Sequence, residues 1–200
     1  MSQTTNRATS YSTEQIAELF PDLMQITDTD LRDRVAAVWS EALTTGCGGK
    51  GWSFDELRAM KFTLLLDDDT MTYIAHLTSC VRQCLAIADV LGQVFGDAVP
   101  IHRDHLIAGA LLADVGKLLE FDRDEAGNLI KSEYGASVRH PVSGAALAYK
   151  HGLPHEVQHI IATHSWEGEK VQRSIESIIF HHADFIDYDI ARALAKRQAS

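Results

Sequence analysis

The chain predicts an all-α fold. Three observations carry that expectation. Apolar residues recur at helical spacing through most of the 200 residues, Gly and Pro signals cut the pattern into helix-length pieces, and a single turn-rich stretch, 119–135, departs from it.

Residues 1–11 are Ser/Thr-rich and expected to be frayed. Ser12-Thr13-Glu14-Gln15 supplies a cap for a short helix that Pro21 ends or redirects. Thr27-Asp28-Thr29-Asp30 caps a second helix, with Leu31, Val35, Val38, Trp39 and Leu43 on one face and an end near Thr45. Glycines 46, 48, 49 and 51 then break it. Phe54 to Leu66 reads as a short helix leading into Asp67-Asp68-Asp69. From Thr70 to Phe95, Met71, Ile74, Leu77, Val81, Leu85, Ala88 and Leu91 mark a strong amphipathic helix, with His76 beside its apolar face. Leu106 to Val115 reads as a buried helix. Asp124-Glu125-Ala126-Gly127-Asn128 is the turn of a small hairpin, and helices follow over about 141–151, 152–164 and 171–197. The expected division is a helical extension over 1–69 packed on a core domain over 70–200.

Composition narrows the function classes. At 46% hydrophobic residues the chain has material for a core. A formal charge of −10 argues against sequence-independent binding of nucleic acid or an anionic membrane. No apolar run approaches the ~20 residues needed to span a bilayer, and the polar Met1–Thr13 does not read as a secretory signal. Three cysteines, Cys47, Cys80 and Cys84, form no paired framework and fit free thiols in a reducing cytoplasm. A homodimer is only the default expectation for such a chain.

Ten histidines are present, seven of them between 140 and 182. Taken singly, a His on an apolar helix is a satisfied core residue more often than a ligand. Jointly, His76, Asp114, His140, His164 and Asp184 each fall in a different helix or at its end, which is how a helical fold gathers imidazoles and carboxylates around a divalent ion.

The order of His76, Asp114-Val115-Gly116-Lys117, His140-Pro141-Val142-Ser143-Gly144, His164 and Ala183-Asp184-Phe185 resembles the HD-domain superfamily of metal-dependent phosphohydrolases and related enzymes, over about residues 70–190. The resemblance implies an HD-domain helical bundle with Asp114 and Lys117 in catalysis. One ion would be held by His76, Asp114 and Asp184, and a second, bridged by Asp114, by His140 and His164. It further implies metal-activated water acting on a small phosphorylated or otherwise anionic substrate. Fe, Mn and Zn all suit the donor set.

The sequence departs from the family at Ala113, where a histidine ligand is expected. A natural loss, compensation by a neighbouring imidazole, and an introduced His→Ala change all remain open. His181, three residues before Asp184, is the candidate substitute. Lys117, Arg139, Lys131 and Tyr134 are candidate substrate contacts. Glu167 could orient an imidazole.

Other functions compete. HD relatives with the two additional histidines include di-iron oxygenases that cleave carbon bonds, and loss of a ligand also suits a catalytically inactive ligand-binding protein. His155-Glu156-Val157-Gln158-His159 matches the H-E-x-x-H pattern of zinc proteases, with Glu176 as a downstream carboxylate.

Overall fold

The computed structural model describes residues 9–66 and 71–198. Most of the frayed N-terminus expected from the sequence, and the Asp67–Asp69 run, lie outside them.

Local chemistry explains the helix starts. Ser12 and Gln15 form a reciprocal capping box at α1 (Thr13–Leu19), and Pro21 opens a 3-10 turn over Pro21–Gln25. Asp28 accepts from the Asp30 and Leu31 amides to start α2 (Thr29–Thr45), whose stripe Leu31, Val35, Val38, Trp39 and Leu43 is buried. The helix expected to reach Leu66 stops early: α3 spans only Phe54–Ala59. Tertiary contacts override the local preference there. Lys61 bridges Thr72 in antiparallel fashion, and the Phe62 carbonyl accepts a bond from Lys117 (2.7 Å).

Helix α4 (Tyr73–Phe95) is capped by Thr72 and carries His76 in its first turn. Against the expectation that no apolar run approaches a bilayer span, Tyr73–Ala98 has the length and apolarity of one, with mean hydropathy 1.3 over an 18-residue stretch. It also buries Tyr73, His76, Leu77, Cys80, Val81 and Cys84 against the rest of the chain, as a core helix does. Helix α5 (Arg103–Leu112) ends before the expected Val115, because the chain tightens at Asp114. Val115 N–H bonds Leu112 O (3.1 Å) and Lys117 N–H bonds Asp114 O (2.9 Å), leading into the short α6 (Lys117–Glu120).

The hairpin pairs β1 (Phe121–Arg123) with β2 (Leu129–Lys131), Phe121 facing Lys131. Then come α7 (Glu133–Ser137), α8 (His140–Lys150), α9 (His155–Thr163) and α10 (Ile175–Gln198). The last begins after Val171 because Arg173 and Ser174 are tied back to α9: Arg173 Nε donates to Thr163 O (2.8 Å) and Ser174 N–H to His159 Nε2 (3.2 Å).

One apolar core runs from Ile16 to Ala183 and takes residues from both the extension and the remainder. Polar ties reinforce it. Buried Asp104 accepts from Thr27 N–H (3.0 Å), Thr27 Oγ1 (2.7 Å) and Asp28 N–H (2.8 Å). Arg34 donates to Gly152 O (2.6 Å), and Glu41 pairs with Lys150 (2.7 Å) and His151 (2.8 Å). The glycine-rich loop after α2 also reaches the site region: Cys47 N–H (3.0 Å) and Trp52 Nε1 (2.8 Å) both donate to Leu118 O, fastening α6.

Candidate metal centre

Asp114 stands where the break in α5 turns toward α6. Its carbonyl accepts from the buried Tyr73 hydroxyl (2.9 Å), and Gly116 allows α8 to close on it from the other side. A Cβ at Gly116 would lie 2.2 Å from His140 O and 2.5 Å from Ser143 Oγ, so only glycine lets α8 come this near.

The Asp114 carboxylate faces two ways. Oδ2 is 3.3 Å from His76 Nε2 and 2.7 Å from Lys117 Nζ, while Oδ1 is 3.3 Å from His140 Nε2 and 3.7 Å from His164 Nε2. Asp184 Oδ1, from α10, is 3.2 Å from the same His76 Nε2. Residues from five helices (α4, α6, α8, the end of α9, and α10) and one turn thus meet at Asp114.

Each of the three imidazoles keeps Nδ1 on an acceptor. His76 Nδ1 is 3.1 Å from Asp187 Oδ2, His140 Nδ1 is 2.7 Å from Glu120 Oε2, and His164 Nδ1 is 2.7 Å from the Ile161 carbonyl. A carbonyl only accepts, so His164 carries its proton on Nδ1 and presents Nε2 as a lone pair. This is how ligating imidazoles are oriented in metal sites. Glu120 also accepts the His140 N–H (2.8 Å), and Asp187 is held by Ser79 Oγ (3.0 Å) and Gln83 Nε2 (2.8 Å).

The electrostatics match. Burial would raise the Asp114 carboxyl, but Lys117, His76 and His140 hold it well below the usual carboxylate range. Asp184 and Glu120 are likewise lowered against their burial, chiefly by their bonds to His76 and His140. Burial, then His140, push His164 down, which favours the neutral ring. Burial alone would lower His76, yet Cys80 and the bonds to Asp114, Asp184 and Asp187 outweigh it and hold the imidazole well above its ordinary value. Around His76, carboxylate charge exceeds what the side chains neutralise.

The donors fit a divalent ion. Among the described residues, His76, Cys80 and Asp184 form one group and Asp114, His140 and His164 another, each with ligand atoms within 4.8 Å of one another. Ligands bonded at ~2.1 Å to one ion stand about 3.0–3.4 Å apart, close to most of the N···O separations above. Cys80 Sγ lies nearly equidistant from the two His76 nitrogens (3.7 and 3.8 Å), beside the ring, and burial pushes its thiol up to about 11.

A cavity of about 220 Å³ opens beside the cluster, with Asp114, Lys117, Arg139, His140, His164 and Asp184 in its wall. Lys117 lines it but is engaged by Asp114 and the Phe62 carbonyl. Arg139 is held through Nε by Glu167 (2.8 Å), so Glu167 positions the guanidinium rather than an imidazole.

Other expected residues lie elsewhere. Lys131 leans on Glu120 (3.7 Å), and Tyr134, 46% exposed, lines a separate hollow with Gly48, Gly49 and Asp122. The hairpin and α7 turn these two side chains off the metal cavity. His181 directs Nδ1 to the His164 carbonyl (2.6 Å), and Ala113 is fully buried in the apolar core. The H-E-x-x-H residues do not converge. The His155 side chain is 89% exposed at the start of α9, and His159 Nε2 is occupied by the Ser174 amide. Glu176 accepts from His102 N–H (2.9 Å).

Asp187 and Glu120 escaped the sequence reading. Asp187 had a legible signal, lying one helical turn after Asp184 on the same face. Glu120 had none, because its pairing with His140 spans the hairpin.

The family model of the HD domain matches residues 73–189. The chain is 36% identical over 118 residues to a dihydroneopterin 2',3'-cyclic phosphate phosphodiesterase of Methanocaldococcus jannaschii, covering 58% of this chain. That match covers 46% of the relative, so the chain spans less than half the length of the protein it matches. No solved structure matches the chain.

Proposed function

Because the chain belongs to the HD-domain family, we propose that this metal-dependent hydrolase opens a phosphodiester in a small anionic substrate. The observation that carries the reading is the Asp114 carboxylate, whose two oxygens face different imidazole sets, each ring fixed from behind through Nδ1. The relative's cyclic phosphate substrate supports the phosphodiester. The charge of −10 favours a small substrate over a polynucleotide.

In this reading Asp114, His140 and His164 would hold one ion, and His76, Asp114 and Asp184 would hold a second, more weakly because Ala113 brings no imidazole. The chemistry such an ion would supply is a water acidic enough to act as hydroxide, together with positive charge beside the phosphate. Lys117 keeps Asp114 ionised and adds positive charge to the cavity wall. Arg139, gripped by Glu167 through Nε, retains its two Nη groups for a phosphate oxygen. Three free cysteines support a reducing compartment.

The test combines metal analysis with turnover. Protein prepared without chelator is assayed on bis(4-nitrophenyl) phosphate and on 2',3'-cyclic nucleoside monophosphates with Fe²⁺, Mn²⁺ or Zn²⁺. The expected result is a monoester product, lost with EDTA and restored by metal. Normally folded protein without bound metal or hydrolysis overturns the reading. Oxygen uptake without hydrolysis of either substrate transfers it to the oxygenase branch.

A further inference from the structure

We infer that Trp166, Phe185 and Tyr188 form a stacking platform that selects substrates carrying a flat nitrogen heterocycle next to the phosphate. The inference rests on the phosphohydrolase reading of the same cavity and names the part of the substrate that the metal donors do not touch.

All three rings line the cavity beside Asp114, and the backbone that places the donors also places them. Trp166 follows His164 by two residues, Phe185 follows Asp184 directly, and Tyr188 lies one helical turn further along α10. Their distance from the cluster is therefore fixed by secondary structure.

Trp166 is 75% exposed, whereas Trp39 and Trp52 are buried. An exposed indole in a loose loop would mean little. This one sits in a 3-10 turn (Trp166–Gly168) closed by Gly168 N–H to Ser165 O (3.0 Å) and clamped by Arg173 Nη2 to Ser165 O (3.2 Å). Gly168 packs so closely that a Cβ there would fall 2.0 Å from Thr163 O. The turn is built, and its largest apolar group faces solvent at the mouth of a metal cavity.

Phe185 and Tyr188 are supported by neighbours. His181 packs on Phe185 with ring centroids 4.5 Å apart, Arg192 lies 5.8 Å over Tyr188, and the two rings meet edge-on at 6.4 Å. The His181 contact, together with its bond to His164 O, gives that residue a supporting role behind the platform. Aromatic faces bind heterocycles by stacking with little dependence on which base is presented. With Lys117 and Arg139 in the same wall, the cavity is divided between an anion-binding part and a ring-binding part.

Adenosine 5'-monophosphate and ribose 5-phosphate differ only by the base, so they isolate the platform. Their binding to metal-loaded protein is measured by calorimetry and by tryptophan fluorescence. The expected result is at least tenfold tighter binding of adenosine 5'-monophosphate, with quenching absent in Trp166→Phe. Trp166→Ala and Tyr188→Ala should each weaken it about five- to thirtyfold and leave ribose 5-phosphate unchanged. Equal affinity for the two probes, or equal losses in the variants, overturns the platform while leaving the phosphate site standing. Binding of neither probe overturns both. Circular dichroism and metal content show that the variants remain folded and loaded.

Discussion

His76 and Asp187 are joined at 3.1 Å, Nδ1 to Oδ2, across the interface between α4 and α10. Asp187 stands one turn beyond Asp184, so a single helix contributes both the carboxylate that faces His76 Nε2 and the carboxylate that fixes the ring from behind. Asp187→Ala should therefore lower metal affinity about 10–100-fold without removing a ligand. Asp187→Asn should lose less, because its amide oxygen can still accept from Nδ1–H. Competition with a chromophoric chelator measures both. Equal affinity of Asp187→Ala and the parent would reduce Asp187 to a packing residue.

Gly116 yields a prediction about the scaffold. Gly116→Ala places a methyl 2.2 Å from the His140 carbonyl, and that neighbour is helix backbone, which yields poorly. A loss of about 1–3 kcal/mol is expected from the overpacking, or a Tm lower by roughly 2–12 °C at this chain length. Displacement of α8 should also weaken metal binding through His140. A Tm within a degree of the parent would show that α8 moves freely.

The helices were legible because their periodicity and caps are local properties. Ser12, Asp28, Ser53 and Thr72 each accept a helix-start amide, the kind of signal a single sequence can carry. The convergence of His76, Asp114, His140, His164 and Asp184 was legible through their order along the chain. What was not legible depended on contacts between distant segments. The helix ending at Ala59 is stopped by Thr72 and Lys117, and Glu120 meets His140 only because the hairpin folds back. Tyr134 and Lys131 lie between Asp114 and His140 along the chain, but sequence proximity does not say which way a hairpin faces. Spacing on one helix likewise says nothing of exposure at its first turn, where the H-E-x-x-H pattern begins and His155 is exposed.

Asp104 should make the tie between the extension and α5 sensitive to acid. Burial raises its carboxyl, but bonds from the Asp28 amide and from Thr27 hydroxyl and amide outweigh that and hold it below its ordinary value. A depressed folded-state pKa contributes stability above the unfolded-state value of ~3.9, and that contribution is lost as pH falls through the folded value. Asp104→Asn should cost about 1–3 kcal/mol near neutrality and much less at an acid pH below the folded value. Urea unfolding at the two pH values checks it; an equal cost at both would remove the charge from the explanation.

Glu156→Gln separates the two metal readings of the chain. With His155 exposed and His159 occupied by the Ser174 amide, this change should leave phosphodiester hydrolysis within about twofold of the parent, since exposed surface changes usually alter stability by less than ~0.5 kcal/mol. Loss of hydrolysis with metal content intact would return the H-E-x-x-H segment to consideration.

Ala113→His tests whether the missing imidazole limits the site. Ala113 is fully buried between α5 and the turn carrying Asp114, so a larger side chain must first be accommodated. Without metal, the variant should be less stable by about 1–3 kcal/mol. If the imidazole reaches the group formed by His76, Asp114 and Asp184, metal should restore that loss and add to it. An ion present at 100 times its Kd contributes about 2.7 kcal/mol. The expected outcome is a lower Tm in EDTA, a larger metal-induced rise than in the parent, and more ion retained after dialysis. A lower Tm in EDTA with no gain in metal would mean that the added ring stays in the apolar core. In that case Asp114, His140 and His164 alone would set the metal content of this protein.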